Sequence, residues 1–247
     1  MKLCAVQYAS TTGDIEGNVA RHTEFVELAA SHDTELIFFP ELSLTGYEPA
    51  LAKGLATHEE DPILDVFQRL SDTHGIVIGV GLPLVSSTKP RIGMVVFQPH
   101  TGRHAYAKQR LHEDELPYFS AGEKPLLIET REHRLALAVC YESLQPDHVA
   151  TAASLGADVY LASVAKLAPG MDEAHACYAT FARERTMTIL MANCVGPCDG
   201  ETGGGRSAAW IDRGKRTASL DDEQEAMLIL DTTTLTARVL TLAARVA

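Results

Sequence analysis

The chain has 247 residues, of which 46% are apolar and 22% charged, as is typical of a folded globular protein rather than a disordered one. Acidic residues outnumber Lys and Arg by 33 to 21, and the formal net charge of −12 disfavours nucleic acids and anionic membrane surfaces as partners. No apolar run approaches the ~20 residues of a membrane-spanning helix, and the N-terminus is predicted to be a strand rather than a signal peptide. We therefore expect a cytoplasmic protein whose five cysteines are thiols.

Short apolar runs alternate with longer amphipathic segments, beginning with a predicted strand at 3–8 and a helix at 18–31. The apolar run at 36–39 stops at Pro40, as a buried strand does, and Asp61-Pro62 supplies the start of a helix that continues to Thr73. Further helices are predicted at 147–155, closed by Gly156, and at 171–186. Further strands are predicted at 76–84, 93–98, 103–108, 126–129, 135–139, 159–164, 188–193, 208–211, 226–230 and 237–240, with a flexible loop at 203–205.

Helices that alternate with fully apolar strands indicate an α/β protein in which the helices pack over sheet faces. The turn residues at 99–102 predict a hairpin between two of the strands, so we expect mixed sheets. No repeat, low-complexity linker or composition break divides the chain, which predicts a single domain over residues 1–247.

Signals for a metal or phosphate site are weak. The chain has no HExxH pattern, and Cys194 and Cys198 bracket Val-Gly-Pro with no second cysteine pair downstream. The glycines at 79 and 81 lack the rest of a phosphate-binding loop, and no GxSxG motif is present. We therefore predict no metal site and disfavour a serine hydrolase of the GxSxG type.

Three polar residues stand at or near the ends of predicted strands. Glu41 follows the run at 36–39, Lys108 ends the second hairpin strand, and Cys140 ends the run at 135–139. Ligands of open α/β sheets bind outside the carboxyl ends of strands, so a carboxylate, an amine and a thiol there could form a nucleophilic site. Each residue also has an ordinary alternative: a buried small apolar residue for Cys140, a turn cap for Glu41 and a solvated charge for Lys108.

Three ordered segments resemble the motifs of the nitrilase superfamily, the carbon–nitrogen hydrolases. They read FFPELSLTGY at 38–47, YAKQRL at 106–111 and LAVCYE at 137–142, and they contain Glu41, Lys108 and Cys140 in that order. The resemblance implies a four-layer α-β-β-α sandwich with mixed sheets that pairs into a homodimer or a larger homo-oligomer. It also implies a triad that works without a metal or organic cofactor.

In that triad the resemblance makes Glu41 the general base, Lys108 the charged stabiliser and Cys140 the nucleophile. Many members use a second glutamate shortly after the lysine. Glu115 begins a Glu-x3-aromatic-x2-Gly pattern and is preferred to Glu113 for this role, the alternative being one more acid in an acidic loop.

The chemistry of amide cleavage adds further expectations. An amide is a poor electrophile, so we expect Lys108 to favour the thiolate of Cys140 and Glu41 to take the thiol proton during attack. The developing oxyanion would lie between the Lys108 ammonium and the backbone N–H of Tyr141. Tyr47 and Phe119 are predicted walls of the pocket, with ordinary packing as the alternative for each.

Two departures from the family pattern leave the substrate open. The segment CYESLQPD at 140–147 lacks the arginine that many amidase members carry after the nucleophile. The segment SVAK at 163–166 replaces an aromatic-rich segment that helps to line the pocket in relatives.

The leading hypothesis is hydrolysis of a non-peptide carbon–nitrogen bond in a small linear amide, of the amidase, ω-amidase or carbamoylase type. The substrate and water would react through a Cys140 thioester, with ammonia or an amine as a released product. The alternatives are nitrile hydrolysis by the same nucleophile, or a non-catalytic paralogue that binds a metabolite or a partner protein. Cys4, Cys177 and Cys194 are predicted to be core or helix-face residues, and His175 to lie on a helix face outside the site.

Overall fold

A computed structural model describes residues 1–242, apart from the side chain of Asp212. The strands are β1 Lys2–Gln7, β2 Leu36–Phe38, β3 Val77–Leu84, β4 Arg91–Phe97, β5 His104–Ala107, β6 Leu127–Glu129, β7 Arg134–Val139, β8 Val159–Ser163, β9 Thr188–Ala192, β10 Val195–Cys198, β11 Glu201–Gly204, β12 Ala208–Trp210, β13 Arg216–Ser219, β14 Ala226–Asp231 and β15 Thr236–Leu240. The α-helices are α1 Ile15–Ala30, α2 Ala52–Leu55, α3 Asp65–His74, α4 Pro146–Ser154 and α5 Met171–Arg185.

Two mixed sheets hold most of the strands. One sheet has seven strands in the order β15-β14-β1-β2-β3-β4-β5, and the other has six in the order β13-β12-β9-β8-β7-β6. In each sheet three neighbouring strands are parallel, β1-β2-β3 in the first and β7-β8-β9 in the second, and antiparallel strands flank them. The antiparallel hairpin β10-β11 stands apart from both sheets.

Three apolar clusters give the layer order. The largest joins side chains of both sheets, for example Leu3 and Phe38 of the first with Leu137 and Leu161 of the second, so the sheets face each other. A second cluster lies between the first sheet and helices α1 and α3, and a third between the second sheet and helices α4 and α5. The result is the expected α-β-β-α sandwich, because each sheet buries one face against its partner and the other against helices.

Local sequence signals account for the main element boundaries. Helix α1 begins earlier than predicted, because the Asp14 side chain accepts a hydrogen bond from the Gly17 N–H at 3.0 Å and caps the helix there. Before α3, the Asp61 side chain accepts from the Ile63 N–H at 3.0 Å, as predicted from Asp61-Pro62. Within residues 1–242, every helix is too short or too polar to cross a bilayer.

The prediction of a flexible loop at 203–205 is wrong. Gly203 and Gly204 belong to β11, are buried, and pair with Gly196 and Val195 of β10. A Cβ atom at Gly204 would lie 2.6 Å from the backbone nitrogen of Ala168, so glycine here serves close packing rather than mobility.

Candidate active site

The loops at the ends of β2, β5 and β7 converge on one buried ion cluster. Lys108 follows β5 directly, and its Nζ donates to Glu41 Oε1 at 2.8 Å and to Glu115 Oε1 at 2.5 Å. All three side chains are at most 2% exposed. A buried ammonium is tolerated here because two carboxylates surround it.

Backbone contacts fix Lys108 in place. Its N–H donates to the Ile92 carbonyl at 2.9 Å, and its own carbonyl accepts from the Gly122 N–H at 2.7 Å. A Cβ atom at Gly122 would lie 2.2 Å from the carbonyl oxygen of Ala107, so only glycine allows the two chain segments to approach this closely. The glycine of the Glu-x3-aromatic-x2-Gly pattern therefore packs directly against the lysine segment.

Of the two candidate acids after the lysine, Glu115 is the one that reaches it, whereas Glu113 is exposed. Glu115 ends a 3₁₀ helix, Glu113–Glu115, and its Oε2 accepts from the His112 N–H at 2.7 Å. Its Oε1 also accepts from the Tyr47 hydroxyl at 3.0 Å. Tyr47 thus contacts the cluster directly.

Cys140 lies at the junction between β7 and the 3₁₀ helix Cys140–Leu144. Its φ of 47° is in the left-handed region, which costs a non-glycine residue backbone strain and is a feature of functional sites. Its Sγ lies 4.0 Å from the Ala165 carbonyl oxygen. The second oxygen of the Glu41 carboxylate, Oε2, is buried without a hydrogen-bond partner among residues 1–242. Glu41 and Cys140 lie close enough that each shifts the pKa of the other. In the part of the chain that the structure describes, the Oε2 atom of Glu41 is therefore an unpaired hydrogen-bond acceptor near the Cys140 thiol.

The carboxyl group of Glu41, the ammonium of Lys108 and the thiol of Cys140 differ in how the site shifts their pKa values. Burial raises the pKa of Glu41, the Lys108 charge opposes that effect, and the result is a pKa of about 7. Burial alone would lower the pKa of Lys108, but the carboxylates of Glu41 and Glu115 outweigh that effect, so the pKa of this lysine rises. Burial and then Glu41 raise the pKa of Cys140 to about 12.

Lys108 acts on the Cys140 thiol in the expected direction, but it is not the largest influence on the pKa of that thiol. Lys108 does lower the pKa of the thiol, but burial and the Glu41 charge raise it by more. The resting thiol is protonated, and it needs a base within reach when it attacks.

A cavity of about 440 Å³ opens over Cys140. This volume is in the range of small-molecule sites. Its lining includes Tyr47, Glu115, Cys140, Tyr141, Lys166 and Cys198. Phe119 does not line it but is buried in the core between the sheets, so the structure favours ordinary packing over a pocket wall for this residue.

The remaining predicted residues lie away from the ion cluster. Cys4 and Cys194 are buried, and Cys177 is half-buried on α5, where its thiol contacts the Leu144 carbonyl at 3.8 Å. His175 lies on α5 with its ring edge-on to Trp210. In the described part of the chain, residues 1–242, no group of three or more His, Cys, Asp or Glu side chains is arranged to hold a metal ion.

A sequence model of the carbon–nitrogen hydrolases matches residues 2–239, almost the whole length. The chain belongs to the carbon–nitrogen hydrolase family. It is 30% identical over 157 residues to a glutamine-dependent NAD(+) synthetase of Aquifex aeolicus, in a match that covers 60% of this chain and only 27% of the synthetase. The chain therefore matches only about a quarter of the length of that synthetase, 27%.

Other relatives of this carbon–nitrogen hydrolase match over more of their length. An (R)-stereoselective amidase of a Pseudomonas species is 26% identical over 200 residues, which is 81% of this chain and 73% of that protein. A solved variant of an amidase from Nesterenkonia sp. AN1, with acrylamide added to its active-site cysteine, has a TM-score of 0.85 at 24% identity and covers 94% of this chain and 92% of its own. The amidase and this chain therefore share the same fold. The family to which the chain belongs is named for the hydrolysis of carbon–nitrogen bonds.

One residue of this carbon–nitrogen hydrolase that sequence reasoning did not select as functional is Glu142. Its buried carboxylate accepts from the Val139 N–H at 2.8 Å through Oε1 and from the Gln109 and Arg110 N–H groups at 2.6 and 3.1 Å through Oε2. The Tyr106 hydroxyl also donates to Oε1, at 2.6 Å. Glu142 therefore ties the turn after Lys108 to the turn at Cys140. An acid two residues after the candidate nucleophile was visible in the sequence, but its distant donors were not.

Replacing Glu142 with Gln is expected to lower both stability and kcat, because one of its two oxygens becomes an NH₂ group that faces N–H donors. We expect a loss of about 1–3 kcal/mol in the free energy of unfolding. Thermal unfolding and steady-state amide hydrolysis measure the two effects, with exposed Glu123→Gln as the matched control. A fall in stability with kcat unchanged would limit Glu142 to a structural role.

Proposed function

We propose that this carbon–nitrogen hydrolase cleaves a small linear amide through a thioester on Cys140 and releases ammonia or an amine. One arrangement supports this function: the buried Lys108 is held by Glu41 and Glu115 next to a thiol at the floor of a small-molecule cavity. A purely structural ion cluster would not require a strained cysteine beside an unsatisfied carboxylate oxygen.

In the first half of the reaction, the Cys140 sulfur attacks the amide carbon while Glu41 accepts the thiol proton. A carbon–sulfur bond forms, and negative charge develops on the carbonyl oxygen. We assign stabilisation of this oxyanion to the Lys108 ammonium and the Tyr141 N–H. Glu41 then gives its proton to the leaving nitrogen as the carbon–nitrogen bond breaks.

In the second half, water attacks the thioester carbon and Glu41 accepts a proton from it. The carbon–sulfur bond breaks, the acid is released, and the proton returns to the thiolate. Glu115 keeps Lys108 charged and in place, and it is also suited to orient the substrate amide or the attacking water. Tyr47, hydrogen-bonded to Glu115, forms a wall of the site. The homodimer, the cytoplasmic location and the single domain over residues 1–247 stay predictions.

Ammonia release from purified protein tests this function with a panel of short amides, ω-amides, carbamoyl amino acids and nitriles. We expect release from amides. Release from nitriles alone would make the enzyme a nitrile hydrolase. No release from any member of the panel would favour the non-catalytic paralogue.

The pH profile of kcat/KM is expected to rise through about 7 and then level off, because Glu41 has a pKa of about 7 and accepts a proton only when ionised. Below that pH the carboxyl group is protonated and cannot act as the base. The raised pKa of Lys108 keeps the ammonium charged above neutrality, so no mildly alkaline fall is expected from this residue.

Initial rates with one neutral amide at a series of pH values measure this profile. Glu113→Gln removes an exposed neighbouring carboxylate and should leave the midpoint where it is. A profile that is flat through neutral pH would remove Glu41 from the role of base.

A further inference from the structure

The segment after β8 carries a lysine beside the candidate nucleophile. The carbonyl oxygen of Ala165 lies 4.0 Å from Cys140 Sγ, and Lys166 is the next residue. Both residues line the cavity over Cys140. Any ligand whose reacting carbon reaches the thiol therefore comes close to Lys166.

The backbone of Lys166 is held firmly. Its N–H donates to Asn193 Oδ1 at 2.8 Å, and its carbonyl accepts from Asn193 Nδ2 at 3.0 Å and from the Gly204 N–H at 2.8 Å. Asn193 is fully buried, so these bonds anchor the segment to the protein interior. These bonds thus fix the backbone of Lys166 in the lining of the cavity over Cys140.

The ammonium of Lys166 lies against Gly170, which lines the same cavity. A Cβ atom at Gly170 would be 2.8 Å from both Cε and Nζ of Lys166. Glycine at this position therefore leaves room for the charged end of the lysine. The φ of Gly170 is −92°, which other residues adopt readily, so the backbone itself does not require glycine here.

Lys166 makes no ion pair within 4.0 Å and no side-chain hydrogen bond with any residue between 1 and 242. It differs in this from Lys108, whose charge is neutralised by Glu41 and Glu115. A half-buried ammonium without a partner is a donor for an anionic ligand, which would offset the desolvation of both charges.

Three exposed acids also line the cavity: Asp114, Asp199 and Glu201. Their charges disfavour a ligand with several negative groups, because like charges repel at short range. One cation beside the thiol and several acids around it together favour a ligand that carries a single carboxylate.

We propose that Lys166 binds a carboxylate of the substrate, so that the preferred substrates are short amides bearing one carboxylate. This inference rests on the proposed amide hydrolysis and names its substrate class. The carboxylate is carried by the acyl part, as in an ω-amide, or by the leaving amine, as in a carbamoyl amino acid. Both bring the same group to Lys166, and the substrates below distinguish them.

The test compares kcat/KM for succinamate and butyramide, two amides of equal chain length that differ in a terminal carboxylate or methyl group. Wild-type protein is expected to prefer succinamate, or N-carbamoyl-β-alanine over N-propylurea if the carboxylate is on the amine side. Lys166→Met should lower this preference ratio by about 10- to 100-fold, mainly through KM. Lys166→Arg should retain most of the preference.

Two further variants sharpen the comparison. Gly170→Ala should reduce the same preference, because the added methyl group displaces the Lys166 ammonium. Lys215→Met removes an exposed lysine outside the cavity and should leave the ratio unchanged. A wild-type enzyme that cleaves butyramide at least as well as both carboxylate substrates, or a ratio that Lys166→Met does not change, would overturn the inference while the proposed function stands.

Binding gives a readout that does not need turnover. Succinamate, which carries one carboxylate, should raise the Tm of Cys140→Ala and should raise it less in Cys140→Ala combined with Lys166→Met. If no amide is cleaved, the proposed function fails, and this shift still decides whether Lys166 binds a carboxylate. The same shift in both proteins, or none in either, would refute the site.

Discussion

Replacing Lys108 with Met is expected to leave a folded protein that releases ammonia at least about 10³-fold more slowly. The substitution removes the ammonium that bridges Glu41 and Glu115 in the buried cluster. Loss of a single oxyanion donor costs about 10²–10³ in kcat, and Lys108 in addition holds down the pKa of Glu41. Without the ammonium, the carboxyl group of Glu41 stays protonated to higher pH and ceases to be a base near neutrality.

Stability distinguishes this loss from misfolding. Removing one partner of a buried ion pair costs about 3–5 kcal/mol, although proton uptake by the two glutamates relieves part of it. Circular dichroism and thermal unfolding, measured beside ammonia release, should record a native spectrum with a lowered Tm. Lys124→Met, at an exposed lysine, should change neither quantity. Retained turnover in Lys108→Met would remove this lysine from the mechanism.

Replacing Cys140 with Ala is expected to abolish the covalent intermediate and to lower kcat by about 10⁴-fold or more, because the variant lacks the sulfur that we propose attacks the amide carbon. The wild-type protein, quenched during turnover, should gain the mass of the acyl group. Intact-mass spectrometry of wild-type and variant proteins measures this directly. Alanine keeps the cavity and the ion cluster, so the variant should remain folded.

Cys198→Ala is the matched control, since Cys198 lines the same cavity. Its pKa is raised far above the ordinary value by its contact with Cys194 and by burial, so its thiol is a poor nucleophile. This variant should still be acylated. A mass shift that persists in Cys140→Ala and disappears in Cys198→Ala would reverse the assignment.

The sequence was informative where a polar residue stood at or shortly after the end of an apolar strand. Glu41 and Cys140 are such residues, and a strand end at the edge of a sheet leaves little choice of where the next side chain lies. Choosing Glu115 over Glu113 depended on the glycine at 122, and the structure brings that glycine against the lysine segment. The layer order came from the family resemblance, since periodicity alone indicated only helices packed on sheets.

What the sequence did not reveal depends on contacts between distant segments. Gly204 carries a local signal for flexibility, yet it pairs with Val195 of β10 and packs against the backbone of Ala168. Phe119 follows Glu115 closely, but its ring turns into the core between the sheets while the glutamate reaches Lys108. The high pKa of Cys140 results from burial and from Glu41, neither of which can be weighed before the chain is folded.

The site takes its parts from both sheets. Glu41 and Lys108 follow β2 and β5 of the seven-stranded sheet, whereas Cys140 follows β7 of the six-stranded sheet. A bond from the Ser163 hydroxyl to the Phe39 carbonyl, 2.8 Å long and buried, joins the two sheets beside them. Glu41 and Cys140 thus meet only after the sheets have docked. A chain in which each sheet is formed but the two are separated carries every side chain of the proposed mechanism without bringing them together, so we expect activity only after the whole sandwich is assembled.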